Sequence, residues 1–238
     1  MAKKYLVAGG DLRSVKLAEY LAESGNTVYS AGFDKNVVPS GKVHTLKNLM
    51  SLNERMDYII LPLPVSNDGV NINTPYSGSI IPAAALCSFL KEDGIVFGGR
   101  FPEEIKEMFA RCSIETIDYS VREEFAVLNA TATAEGAIQV AMEETASTIS
   151  GQKILIIGMG RIAKVLVHML KGFNADITAA ARKCSDLAWA EVYGCRSIHT
   201  KDLKEYLDRY SIIINTAPAV LLDAETLERA NRSSLVID

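Results

Sequence analysis

The chain of 238 residues is longer than most single domains, and its 25 basic and 29 acidic residues leave a formal charge of -4. That balance gives no electrostatic footprint for nucleic acid. No apolar run is long enough to span a bilayer, and the four cysteines form no C-x-x-C pair or zinc-ligand spacing, so no membrane partner, metal or disulfide framework is expected. The amino terminus enters an apolar strand without a leader-like segment, and a cytoplasmic protein with reduced thiols is expected.

In chain order, strand-length apolar runs alternate with amphipathic runs of helix length, the pattern of an α/β chain with parallel sheets. The first half predicts strands near 4–8, 26–30, 57–61, 94–98 and 114–117, and helices near 12–24, 82–91 and 102–111. Gly or Pro follows several strands, in "VAGGD", "ILPLP" and "VFGGR". Loops therefore collect at the strands' carboxyl ends, where ligands bind in open α/β sheets.

Residues 121–149 hold few helix breakers and predict a linking helix packed across an interdomain cleft. The second half predicts a strand at 153–157, a helix from 160 to about 171, and strands at 176–180, 211–215 and 234–238. The expected fold class is α/β, with two doubly wound parallel-sheet domains, the second of Rossmann type. The expected partition is 1–120, the linking helix, and 150–238. A Rossmann sheet ordinarily continues past such a final strand, so truncation at Asp238 is expected.

Gly158-Met159-Gly160-Arg161-Ile162-Ala163 is a G-x-G-x-x-A fingerprint between a strand and a helix. Gly158 permits the tight turn, Gly160 lets backbone approach a pyrophosphate, and Ala163 allows close helix packing. The helix start, with Arg161 and Ile162, offers N–H groups and a positive dipole end to phosphate. The next strand ends in Arg182 and Lys183, followed by Ser185, where an NAD site would carry an acid. Cations and hydroxyls suit a 2′-phosphate, so NADP is the expected cofactor. Asn215, Thr216 and Pro218 follow the strand at 211–215 and are placed along the nicotinamide half.

Three stretches of the first half and the link suggest a substrate site. "GGDLR" supplies Asp11 and Arg13, the loop at 62–79 supplies Ser66, Asp68, Ser77 and Ser79, and "REEFAVLNATATAEG" supplies Arg122, Asn129, Thr133 and Glu135. Each also has an ordinary structural reading as a cap, a surface loop or a solvated helix face. His44, His168 and His199 form no evident His–acid pair, and structural roles are expected for them.

"GGDLR", "LPLPVSNDGVNINTPYS", "NATATAEGAIQVAMEET", "ILIIGMGRIAK", "AARKCSDLAWA" and "IIINTAPAVLLD" together resemble the A subunits of dipicolinate synthases of endospore-forming bacteria, over almost all of residues 4–238. Ala163 stands where many members carry Gly. The resemblance implies oxidation, during sporulation, of a dihydrodipicolinate-level intermediate of the lysine pathway to dipicolinate with NADP. It also implies that the partner is a flavoprotein-like B subunit, and a homo-oligomer is expected. A small dicarboxylate would be held by Arg13 or Arg122 and by N–H groups near Ser77 to Ser79, with Glu135 or Asp68 as base. Another NADP dehydrogenase, of 2-hydroxy-acid, shikimate-like or methylenetetrahydrofolate-like type, and a non-catalytic NADP-binding subunit remain open alternatives.

Overall fold

The computed structural model describes residues 2–34 and 37–238, and the chain divides into two compact units, Met1–Phe125 and Ala126–Asp238. In the first unit, β1 (Lys4–Ala8), β2 (Thr27–Ala31), β3 (His44–Leu46), β4 (Met56–Ile60), β5 (Leu90–Gly98) and β6 (Glu115–Asp118) form a parallel sheet of order β3-β2-β1-β4-β5-β6. The helices α1 (Leu12–Glu23) and α2 (Glu103–Arg111) are the crossovers after β1 and β5. The apolar run of β1 serves two cores. Leu6 and Ala8 face the cluster that holds Ile59, Val96 and Phe109, and Val7 faces Val15, Ala18 and Val28. Burial on both faces explains why the strand does not alternate polar with apolar.

The second unit has a five-stranded parallel sheet of order β11-β10-β7-β8-β9, from β7 (Lys153–Ile157), β8 (Asp176–Ala181), β9 (Arg196–His199), β10 (Ile212–Asn215) and β11 (Leu235–Ile237). Its "KILII" strand is the centre of the core: Ile154 and Ile156 pack on one face and Leu155 and Ile157 on the other, all fully buried. Each such side chain contributes about 1.5–3 kcal/mol by leaving water. The helix α4 (Arg161–Gly172) follows β7, and α5 (Cys184–Val192) follows β8. The long helix α3 (Glu123–Glu144) buries Ala134, Ile138 and Ala141 against the β7–α4 core. This three- and four-residue spacing gives one narrow helical stripe. The short α6 (Ala224–Leu227) precedes β11.

One first-half expectation is corrected. Residues 82–91 do not form an α-helix: Ala83–Phe89 is wound as 3-10 turns, and β5 already begins at Leu90. Pairing of Leu90 with Met56 draws the chain into the sheet before an α-helix can close its longer ladder. The short β3 pairs with β2 at the sheet edge. In the second half, α5 and β9 occupy the stretch between 181 and 200.

Candidate functional site

Each sheet has one point where successive connections leave in opposite directions, between β1 and β4 in the first unit and between β7 and β10 in the second. Such switch points open a crevice at the strands' carboxyl ends. Both units have a cavity there.

In the second unit the cavity measures about 470 Å³ and is walled by Gly158–Gly160 after β7, Arg182, Lys183 and Asp186 after β8, Thr200, and Thr216–Ala219 after β10. Gly158 has φ +100, and a Cβ there would lie 2.6 Å from Thr216 Oγ1. The hydroxyl of Thr216 donates to the Ile157 carbonyl at 2.9 Å, fixing the β10 loop against the turn. A Cβ on Gly160 would meet nothing within 4 Å, so this N-cap position of α4 borders open space that backbone alone leaves free for a phosphate. The residues fit a dinucleotide: a turn requiring glycine, an uncovered helix amino terminus and two cations on the wall.

Not every expected contact lies on that wall. Ile162 is half-buried and packs on the core, and Arg161 opens α4 as an exposed residue. Ser185 is exposed in the first turn of α5 and does not line the cavity. Asn215 spends its amide on Asp238 Oδ1 at 2.6 Å and accepts from the Ala217 N–H at 3.1 Å, which shapes the loop that brings Pro218 to the wall.

The first unit's cavity measures about 350 Å³. Pro62, Leu63, Pro75, Phe97 and Phe125 give it apolar sides, among which stand Asp11, Arg13, Ser14, Asn73 and Tyr119. Gly9 and Gly10 have φ +72 and +100, and a Cβ on Gly9 would fall 2.6 Å from the Asn73 carbonyl oxygen. The Gly10 N–H donates to that same oxygen at 2.9 Å. The β1 turn is thereby fastened to the 62–79 loop, and only glycine tolerates both the approach and the dihedral.

Asp11 caps α1 through the Arg13 N–H at 2.9 Å. It also accepts from Arg13 Nε at 3.1 Å and Nη2 at 2.8 Å. The Arg13 guanidinium holds the Asp11 carboxyl below its ordinary range. A guanidinium has five N–H donors in a planar fork, so Nη1 and the second Nη2 hydrogen remain for a ligand. The Tyr119 hydroxyl donates to the Leu61 carbonyl at 3.1 Å, and burial pushes its pKa up to about 12. Tyr119 is therefore a neutral phenol, its ring edge-on to Phe125 at 5.2 Å.

The structure does not gather the other expected substrate and catalytic residues at this cavity. Asp68 accepts from the N–H groups of Val70 and Asn71, the Asn71 amide and the Ser66 hydroxyl, at 2.7 to 3.0 Å. These donors drive its pKa far below the ordinary value, so the carboxylate fastens its loop and is a poor proton acceptor. Ser77 Oγ donates to Asp34 Oδ2 at 2.7 Å, the Gly78 N–H donates to Asp34, and the Ser79 N–H donates to Ser77 Oγ. The chain's own carboxylate thus occupies the place assigned to a substrate carboxylate.

Arg122 is exposed and paired with Glu124 through its Nε at 2.8 Å. Asn129 is half-buried and Thr133 exposed on α3, where Thr133 donates to the Asn129 carbonyl. Glu135 lines a shallow depression with Ile138, Met142, Met169 and Phe173, at the carboxyl end of α4. Since α4 has 12 residues, Glu135 lies roughly 18 Å along that helix from the glycine turn. That distance removes Glu135 from the nucleotide crevice.

Sequence reasoning missed Tyr119, Asn73, Asp186 and Thr200. Tyr119 follows β6 directly, as Gly9 follows β1, so position just past a strand end was the available signal.

Residues 4–120 match the N-terminal domain of the dipicolinate synthase A subunit, and residues 121–238 match the NAD-binding domain of D-isomer specific 2-hydroxyacid dehydrogenases. The chain is 26% identical to the dipicolinate synthase A subunit of Bacillus subtilis, over 99% of this chain and 80% of that protein. The crystal structure of that Bacillus subtilis polypeptide shares the fold at TM-score 0.82 and 24% identity, covering 100% of this chain and 80% of that one. The crystal structure of its Bacillus halodurans counterpart gives 0.84 and 23%, covering 99% and 81%. The apo D-lactate dehydrogenase of Escherichia coli is more distant, at TM-score 0.62 and 14% identity over 98% of this chain and 72% of that one. No helix among the described residues is long and apolar enough to cross a membrane.

Proposed function

We propose that this homologue of the dipicolinate synthase A subunit is an NADP-dependent oxidoreductase that converts a dihydrodipicolinate-level ring dicarboxylate to dipicolinate, in the cytoplasm of a sporulating cell. The observation that carries this proposal is the ring-sized cavity of the first unit, apolar on its sides and carrying Arg13 on its wall. A planar ring would lie against Pro62 and Phe97. One carboxylate would take the outer N–H groups of Arg13, whose plane is fixed by Asp11 from behind. Bidentate, charge-assisted bonds set both affinity and orientation. Asp11 acts through Arg13 and is a positioning residue.

Gly158, Gly160 and the start of α4 would hold the pyrophosphate, with Arg182 and Lys183 at the adenosine ribose. NADP, when bound, supplies a hydride acceptor. Oxidation breaks a ring C–H bond, with its electron pair leaving as hydride, and releases one ring proton. Because the product is aromatic, a strong base is not required, and water at the cavity mouth suffices. Neither Asp68 nor Glu135 is retained as the base. A homo-oligomeric state and a flavoprotein-like B subunit complete the proposal.

The test is reduction of NADP by the purified chain with freshly generated dihydrodipicolinate, alone and with the B subunit. Turnover that appears only with another 2-hydroxy or 2-amino acid would replace the substrate. Binding of nucleotide without turnover in either mixture would leave a non-catalytic subunit.

A further inference from the structure

The nucleotide crevice carries a carboxylate that its cations do not explain. Asp186 is in the first turn of α5, half-buried on the same wall as Arg182, Lys183 and Thr200. It stands three residues after the Lys183 cap of α5, and among the described residues its carboxylate makes no side-chain hydrogen bond. Among the described residues, Arg182, Lys183 and Asp186 have no ion-pair partner. Three unneutralised charges of both signs, set around one end of an open cavity, suit a ligand that satisfies them.

We infer that Asp186 is a specificity-determining residue that opposes Arg182 and Lys183 at the ribose 2′ position, so that the crevice admits both NADP and NAD. This inference rests on the crevice being a nicotinamide dinucleotide site. A carboxylate accepts from the 2′- and 3′-hydroxyls of NAD. It repels the 2′-phosphate of NADP, which the two cations attract. A carboxylate and a phosphate dianion a few ångströms apart in solvent-like dielectric repel by an amount worth about tenfold in affinity. The basic end of β8 therefore gives a preference for NADP that Asp186 limits.

The adenosine half is tested with 2′,5′-ADP and ADP as probes, by calorimetric titration of the full chain, its Asp186→Asn and Asp186→Ser variants, and Arg182→Ala. Asp186→Asn keeps the side chain's shape and is expected to tighten 2′,5′-ADP about tenfold while weakening ADP several-fold. Asp186→Ser should move the ratio the same way. Arg182→Ala should weaken 2′,5′-ADP and leave ADP nearly unchanged.

If Asp186 serves only the dipole of α5, both variants will melt slightly lower and the ratio of the two affinities will stay at its wild-type value, which overturns the inference. Failure of the NADP assignment has a different signature: 2′,5′-ADP binding that is indifferent to Arg182→Ala.

Discussion

Gly158 and Thr216 meet across the nucleotide crevice, where a Cβ on the glycine would stand 2.6 Å from the threonine Oγ1. That oxygen is itself fixed by its bond to the Ile157 carbonyl, so it cannot yield freely. Gly158→Ala forces both this contact and a φ of +100 on a residue that avoids it. The expected cost is about 1–3 kcal/mol, the range for strained backbone. Thermal unfolding followed by circular dichroism checks it, and an unchanged midpoint would mean that the turn can relax.

Gly160 makes the contrasting case two residues on. Its φ of -79 is ordinary, and its missing Cβ faces open space. Gly160→Val should fold with a melting midpoint near wild type and lose nucleotide binding, because the side chain fills the pyrophosphate approach. Calorimetry with NADP decides it; retained affinity would move the phosphates off the glycine turn.

Asp68 gives a pH-dependent prediction. Its carboxyl is held far below the ordinary value by N–H groups of its own loop, so the folded state favours the ionised form. The associated stability is present above the unfolded pKa, near about 4, and is lost as pH falls toward the folded value. Asp68→Asn retains the shape and not the charge. The gap in melting midpoint between wild type and Asp68→Asn should stay constant from about pH 8 to 5 and close progressively below about pH 4. A gap independent of pH throughout would show that the charge contributes nothing.

The scaffold was legible because its signals are local. "KILII" between a turn and a helix can only be a strand buried on both faces, and Gly158 and Gly160 announce their turn through spacing alone. "PAAALCSFL" misled for a physical reason: its composition suits a helix, while pairing of Leu90 with Met56 determines where the chain must go. The candidate substrate cavity was legible only in part. Arg13 could be named because it follows the β1 turn, whereas Tyr119 enters through a bond to Leu61, 58 positions away in sequence. Asp68, Ser66 and Ser77 looked like ligand groups because a loop's own N–H and carboxyl partners use the same residue types as a binding site does.

The last prediction separates the two arginines offered as carboxylate clamps. Arg13 lines the first unit's cavity with its guanidinium plane set by Asp11, while Arg122 is exposed, paired with Glu124, and absent from that wall. Lysine keeps the charge and loses the fork. With dihydrodipicolinate, Arg13→Lys should cost about 1.5–3 kcal/mol of substrate binding, which is roughly a 10- to 100-fold rise in KM. NADP affinity should be nearly unchanged, since the residues assigned to the nucleotide belong to the other unit. Asp11→Asn should raise KM as well, by freeing the guanidinium to rotate, while the melting midpoint stays near wild type because asparagine caps a helix about as well as aspartate. Arg122→Lys disturbs only a solvated ion pair, worth about 0–1 kcal/mol, and should leave KM and kcat at wild-type values. Steady-state kinetics on the three variants decide the matter: a raised KM in Arg122→Lys with Arg13→Lys unaffected would take the carboxylate away from the β1 turn and place it at the start of α3.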